Sequence, residues 1–304
     1  GSNEQNTTRR FTMRINHNIS AMITQNSGRL QNKAMSSSLE KLSTGLRINR
    51  ASDDAAGLSV SERLRTQVRG LTQAQSNAED GIALLQIAEG AADEISSLLQ
   101  RMRELSIQAS NDTLTSTERS YSDTEFQALM TEISRISTAT QYNGQTLLDG
   151  VSGSFGSDTS SVLHIGANNN NGSVTGTVDT MQVSIQALTV GAIGITLSAE
   201  GVTDATNVTN QANAFQAITA IDGAIGSINE MRSNMGGYIN RLDHAINNIA
   251  NQRYNTQDAE SRIRDVDFAH ETTKFTKSQI LTQSAVSMLA QANAVPQSVL
   301  QLLG

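Results

Sequence analysis

Apolar residues recur along much of the chain at steps of three and four, the repeat of one face of an α-helix. Leu64, Val68, Leu71, Gln75, Ala78, Ile82 and Leu85 form one such stripe. Leu84, Ile87, Ala91, Ile95, Leu98, Met102, Leu105 and Ala109 carry it on along a neighbouring face. The pattern predicts a single helix from about Gly57 to Ala109, roughly 80 Å long at 1.5 Å per residue. Thr115 and Glu118 then have the spacing of a capping box and announce a further helix. Its stripe is Phe126, Leu129, Ile133 and Ile136, and it ends before the turn signal Asn143-Gly144. The connection between these two helices is short and polar, so they should pack antiparallel.

The longest seam lies in the second half. Ile218, Ile221, Ile225, Ile228, Arg232, Met235, Ile239, Leu242, Ile246, Ile249 and Arg253 alternate steps of three and four without a slip. Spacing sustained over several heptads predicts a coiled-coil-like helix, and a helix in an ordinary bundle would differ only in length. Between the halves, residues 149–209 change character to Gly, Ser, Asn and Thr. Val162–Ile165, Met181–Ile185 and Ile193–Leu197 read as short strands, giving a small β-hairpin region or surface insert.

The two ends are apolar in a different way. From Ile15 to Arg47, Ile15, Ile19, Met22, Leu30, Leu39, Leu42 and Leu46 keep mostly helical spacing, interrupted by polar residues. The last segment carries two stripes. One includes Phe268, Phe275, Val286, Leu289 and Leu300; the other includes Leu281, Ala285, Met288, Ala292, Val295, Val299 and Leu302. A helix apolar on two adjacent flanks needs neighbours on both. The N-terminal segment can cover one flank only, which leaves an apolar patch that marks a partner site. Both ends are therefore expected to order together, and on assembly. Identical copies meeting head to tail give an open helix and not a closed ring.

Composition narrows the class. Of 304 residues, 37% are hydrophobic and 3% aromatic, with no Trp. That falls below the ordinary globular range and suits long seams better than a thick core. Cysteine is absent, which excludes disulfides and thiolate metal sites and fits export in an unfolded state. The net charge of −7 argues against nucleic acid as a partner. No apolar run is long enough for a membrane span, and residues 1–12 lack the apolar stretch of a cleaved signal peptide. Those twelve residues read as a tag or extension ahead of Met13.

Several stretches are familiar as they stand. Met13-Arg14-Ile15-Asn16-His17-Asn18-Ile19-Ser20-Ala21, the run from Glu40 to Leu58 (EKLSTGLRINRASDDAAGL), Leu99–Ala109 (LQRMRELSIQA) and Gln141-Tyr142-Asn143-Gly144 resemble bacterial flagellin motifs. So do Ala259–Ala269 (AESRIRDVDFA) and Gln291–Leu300 (QANAVPQSVL) at the other end. The resemblance covers about Met13–Gly150 and Gln211–Gly304 and implies a mainly α fold. In it, the N- and C-terminal halves form a long coiled-coil-like bundle with a small β-hairpin region in the middle. The implied organisation is an inner pair of terminal helices, called D0, from residues 13–56 and 259–304. An outer helical D1 would take residues 57–150 and 211–258, with 151–210 as a variable surface segment.

The resemblance implies a filament subunit for swimming motility, secreted through the flagellar type III route. Its implied partners are copies of itself, an export chaperone at the C-terminal region, and the filament cap and hook–filament junction proteins. Other flagellins or a sheath protein are further partners the family admits. Ile15, Ile19, Met22, Leu30, Leu42, Leu281, Met288, Leu289, Val295, Val299 and Leu302 are the expected assembly residues. Leu64, Val68, Leu71, Ile82, Ile225, Ile228, Ile239, Leu242 and Ile246 are the expected D1 seam. Gln100, Arg101, Leu105 and Glu125 correspond to the flagellin surface read by a vertebrate Toll-like receptor; the plainer reading is packing of subunit against subunit.

No catalytic, metal or cofactor site is expected. His270-Glu271 begins like a zinc-protease motif, but Lys274 stands where the second imidazole belongs. Asp53-Asp54 reads as charge at a helix N-terminus and not as a metal pair. The Asn-X-Ser/Thr triplets at Asn111, Asn171 and Asn207 read as accidental in a bacterial chain. The competing readings are a hook–filament junction protein, which resembles flagellin at both termini, a secreted coiled-coil effector or adhesin, and an enzyme.

Overall fold

A computed structural model describes residues 18–150, 155, 161–168, 179–195 and 206–303, with side chains as far as Ala294. The elements are α1 (Ile19–Thr44), α2 (Ala55–Ala109), α3 (Ser116–Ala139), β1 (Gln141–Tyr142), β2 (Gln145–Thr146), β3 (Val162–His164), β4 (Thr180–Gln182), α4 (Gln211–Arg264) and α5 (Phe268–Leu303). The fold is mainly α, as the periodicity predicts. Two compact units share the chain. One takes residues up to Leu64 and from Asp258 onward; the other runs Arg65–Gln257. Among the described residues no helix is long and apolar enough to cross a membrane.

The second unit is built on α2 and α4. Arg103 pairs with Asp222 at 2.6 Å and Arg232 with Asp93 at 3.0 Å, so the two helices run antiparallel. The buried line of α2 passes through Leu71, Ala74, Ala78, Leu85, Ala88, Ala92, Ile95, Leu99 and Met102. That of α4 passes through Ala214, Ala217, Ile221, Ala224, Ile228, Met231 and Met235, and on to Leu242 and Ile249. Both keep the heptad step, and Leu71, Ile228 and Leu242 of the expected seam are buried in it. Ile225, Ile239 and Ile246 lie half-buried on its flank, as do Leu64, Val68 and Ile82, while Ile87 is exposed. Alanines are interspersed with Leu and Ile along the buried centre, and the half-buried isoleucines lie at the rim of the contact.

Helix α3 begins as its capping box requires. The Thr115 amide donates to Glu118 Oε2 at 2.7 Å, and the Glu118 amide donates to Thr115 Oγ1 at 3.4 Å. Arg119 folds back to donate to the Ala109 carbonyl at 2.9 Å, which sets α3 antiparallel to α2. Phe126, Met130 and Ile133 enter the core from this helix.

A two-residue hairpin follows, β1 pairing β2 across Asn143 and Gly144. Both turn residues have positive φ, 50° and 79°, the primed turn that Asn-Gly favours. Beyond it β3 pairs antiparallel with β4, Leu163 opposite Met181. These strands are shorter than the alternating stretches suggest, and Val183, Ile185 and Leu188 stay buried in irregular chain. The strand expected at Ile193–Leu197 is not formed over its described part. Ile193 instead closes a turn on the Thr189 carbonyl at 3.1 Å, and Gly194 takes a left-handed φ of 81° that ends it. Leu197 lies outside the described residues.

In the first unit, Gly45 ends α1 with a left-handed φ of 73°. The next residues form a junction. Leu46 bridges Asp265 antiparallel, the Arg47 amide donates to the Arg264 carbonyl at 2.6 Å, and the Arg47 guanidinium reaches the Ile263 carbonyl. Ile48 is buried beneath, and Arg264 pairs with Glu62 at 2.8 Å. The two aspartates divide the work. Asp54 Oδ1 accepts the Gly57 amide at 2.9 Å and caps α2, as expected. Asp53 instead closes the preceding turn, accepting the amides of Asn49 and Arg50 at 3.1 and 3.0 Å. Those backbone hydrogen bonds hold its carboxyl below the ordinary range.

Phe126 is fully buried and Tyr121, five residues earlier on another face of α3, is 71% exposed. Phe126→Ala is expected to destabilise the second unit by about 3–5 kcal/mol in denaturant unfolding, and Tyr121→Ala by less than about 0.5 kcal/mol. Equal effects would contradict this placement of the core.

Candidate assembly surface

Helices α1 and α5 pair along their length. Asn18 caps α1, its Oδ1 accepting the Ala21 amide at 3.0 Å, while its Nδ2 donates to the Ala292 carbonyl at 2.7 Å. At the other end, Ser38 donates to Glu271 Oε1 at 2.6 Å. Midway, Gly28 sits against Ala285, where an added Cβ would lie 3.5 Å from the alanine methyl. Low numbers on α1 thus meet high numbers on α5, so the pair is antiparallel. Asp267 starts α5 by accepting the amides of Ala269 and His270 at 2.9 and 3.2 Å.

The side chains in the seam are unusual for a helix pair. In line with Gly28 and Ser38 on α1 lie Ala21, Thr24, Gln31, Met35 and Leu42, all partly buried. On α5 the sheltered line is Glu271, Phe275, Ser278, Thr282, Ala285, Leu289 and Ala292, in unbroken steps of four and three. The α5 line runs between the two apolar stripes seen in the sequence, taking members from each. Most of the seam is small or polar. Thr282 Oγ1 is buried without a hydrogen-bond partner, which costs free energy that a coiled coil of leucines would not lose.

Glu271 and Ser38 are both buried, at 6% exposure each. Burial pushes the Glu271 carboxyl up. The Ser38 hydroxyl, the Lys41 and Lys274 charges, and the Lys274 ammonium 3.5 Å away outweigh that and hold it below the ordinary glutamate range.

The large apolar residues lie outside the seam. Ile19, Met22, Leu30 and Leu39 on α1 are exposed, and so are Ile280, Leu281, Val286 and Met288 on α5. Of the expected assembly residues, Ile19, Met22, Leu30, Leu281 and Met288 thus stand on the surface of the pair, while Leu42 and Leu289 are half-buried in it. Ile15 lies outside the described residues, as do the side chains of Val295, Val299 and Leu302. Sequence reasoning missed Ile23, which is 63% exposed, and Ile280. Ile23 follows Ile19 by one helical turn, so a finer helical projection would have found it.

Of the residues matched to the receptor-recognition surface, the structure brings Arg101 and Glu125 together. The guanidinium donates to Glu125 Oε1 from Nε at 3.0 Å and from Nη2 at 2.8 Å, and to Glu104 at 3.1 Å. Gln100 is exposed nearby in sequence. Leu105 departs from the expectation. It is 2% exposed, because it falls on the core side of α2 beside Met102, and it offers no surface of its own.

A carboxyl held low when folded adds stability that is present above its unfolded pKa and lost as pH falls through the folded value. Acid should therefore open the α1–α5 pair as the pH drops below the ordinary carboxylate range. Glu271→Gln keeps an acceptor for Ser38 and should flatten that dependence. With no native cysteine, spin labels at Ala34→Cys and Thr276→Cys report the paired fraction directly; the same acid response in both proteins would contradict the assignment.

The bacterial flagellin N-terminal helical region matches residues 15–153, and the bacterial flagellin C-terminal helical region matches residues 218–303. A flagellin of Halalkalibacterium halodurans is 46% identical over 291 residues, which span 96% of this chain and 100% of that protein. A Bacillus subtilis flagellin is 43% identical over 317 residues, again spanning 96% of this chain and all of its own length. A solved structure assigned to a flagellar hook-associated protein of Vibrio parahaemolyticus covers 70% of this chain and 100% of its own at a TM-score of 0.52. At 20% identity it shares the fold alone. The likeness to flagellins makes this chain a structural subunit of a flagellar filament. It belongs to the bacterial flagellin family.

Proposed function

We propose that the chain polymerises through the outward faces of the α1–α5 pair, and that the pair becomes fully ordered only when neighbouring copies cover it. The carrying observation is the sorting of side chains: most seam positions are small or polar, with Met35, Leu42, Phe275 and Leu289 the large apolar exceptions, and Ile19, Met22, Ile23, Leu30, Ile280, Val286 and Met288 lie on the outer flanks. Exposed apolar area of this extent is costly in a monomer and favourable once buried. Heterologous contact between such surfaces adds copies without closing a ring. Residues 13–56 and 259–304 would then form the inner layer of the filament, and residues 57–150 and 211–258 the next, with 151–210 outermost.

A subunit of this kind leaves the cell unfolded through the flagellar type III route, with an export chaperone covering the C-terminal region beforehand. The absence of cysteine suits that passage. Cap and hook–filament junction proteins bound the polymer at its ends. A junction protein is the runner-up reading, since a hook-associated protein shares the fold; it would build a short collar where this chain builds long filaments. A vertebrate Toll-like receptor is a further partner, engaging Gln100, Arg101 and Glu125 on the exposed side of α2 and α3.

Purified protein should grow long filaments of one chain type from short seeds, seen by electron microscopy. Ile23→Ser should leave the second unit folded by circular dichroism and abolish growth. Unimpaired growth of that variant would overturn the assembly reading, and collars alone would favour the junction protein. Arg101→Ala should weaken signalling in cells bearing the receptor, and an unchanged response would remove that partner.

A further inference from the structure

Methionine is distributed unevenly by depth. Met102, Met130, Met181, Met231 and Met235 are buried in the second unit, and Met35 is half-buried in the α1–α5 seam. Met22 and Met288 are 63% and 56% exposed. They also occur at one level of the antiparallel pair. The Asn18–Ala292 hydrogen bond and the Gly28–Ala285 approach bracket both, since Met22 falls between 18 and 28 and Met288 between 285 and 292. Exposed Ile19 and Ile23 flank Met22. Two oxidisable thioethers thus stand among the apolar groups that assembly must bury.

We propose that Met22 and Met288 form an oxidation site that controls polymerisation, its modifying agent a peroxide. This rests on the assembly reading above. The thioether sulfur attacks one oxygen of hydrogen peroxide, the O–O bond breaks, and the departing hydroxide takes the proton from the sulfur-bound oxygen and leaves as water. The sulfur is oxidised by two electrons to the sulfoxide and the peroxide is reduced by two. The product replaces a flexible apolar group with a strongly polar one. In the seam between copies that oxygen has to be desolvated, and it meets apolar neighbours that cannot donate to it. Oxidised subunits are therefore poor substrates for growth, whereas subunits already in a filament keep both sulfurs shielded. The consequence is one-directional: oxidant stops elongation and spares what has been built.

Peptide mass mapping of the full-length monomer treated with hydrogen peroxide tests this, alongside seeded growth. Met22 and Met288 should gain oxygen about tenfold faster than Met102, Met130 or Met231. The critical concentration for growth should rise by about tenfold or more. Met22→Leu with Met288→Leu keeps an apolar side chain without a sulfur, so its critical concentration, whatever it is untreated, should not change on the same treatment, and methionine sulfoxide reductases should restore the oxidised wild type. In preassembled filaments both residues should react about tenfold more slowly. The proposal is overturned if the buried methionines react as fast, if the double variant loses growth as the wild type does, or if filaments react at the monomer rate. Failure of untreated protein to polymerise would instead strike the assembly reading itself.

Discussion

The structure depends on a terminal helix pair whose seam takes few of its large apolar side chains: Met35, Leu42, Phe275 and Leu289 lie in it, and the others lie outside. Gly28 meets Ala285 and Ser38 meets Glu271 along that seam, while Ile19, Met22, Ile23, Ile280 and Met288 stand on other faces, outside it. A pair of helices whose seam is mostly small or polar gains modestly from burial, about 25 cal/mol per Å² of whatever apolar area it does cover. Its unburied area is what a second copy would cover. Weak pairing within a molecule and strong pairing between molecules are thus one property of one arrangement of side chains.

The second unit is organised differently, although its helices obey the same heptad. There α3 and the irregular chain from Met181 to Ile195 pack Phe126, Met130, Val183 and Leu188 onto the α2–α4 seam, and the core is closed within the chain. Alanine again lies at the seam centre, at Ala88, Ala92, Ala217 and Ala224, but here a third layer supplies the bulk. In the first unit the junction from Gly45 to Asp54 does the holding instead. It pins α1 to the start of α5 through backbone hydrogen bonds and sets Arg264 against Glu62. A polar junction fixes geometry without adding much to the net burial of apolar surface.

Much of this was legible beforehand. The long helices, the capping box at Thr115 and the Asn143-Gly144 turn follow from spacing and turn chemistry. The depth of individual residues did not follow. Stripes of leucine and isoleucine mark the apolar side of a helix, yet Ile225 and Ile87 lie at or beyond the edge of contact while Ala224 and Ala88 lie at its centre. Periodicity gives an angle only to within the width of a stripe, and side-chain size then decides which edge comes closest. Leu105 illustrates the same limit: it was matched to a recognition surface by motif, and the helix turns it inward. The strand expected near Ile193 failed for a local reason, since Gly194 favours a left-handed turn where alternation alone suggests extension.

Hydrogen exchange of the α1 and α5 amides, compared between soluble monomer and assembled filament, addresses the central claim most directly. The account predicts rapid exchange across Ile19–Leu42 and Phe268–Met288 in the monomer, against strong protection of α2 and α4 between Leu71 and Ile249, with the terminal helices becoming protected on assembly. Strong protection of those terminal helices in the lone, soluble chain would contradict it.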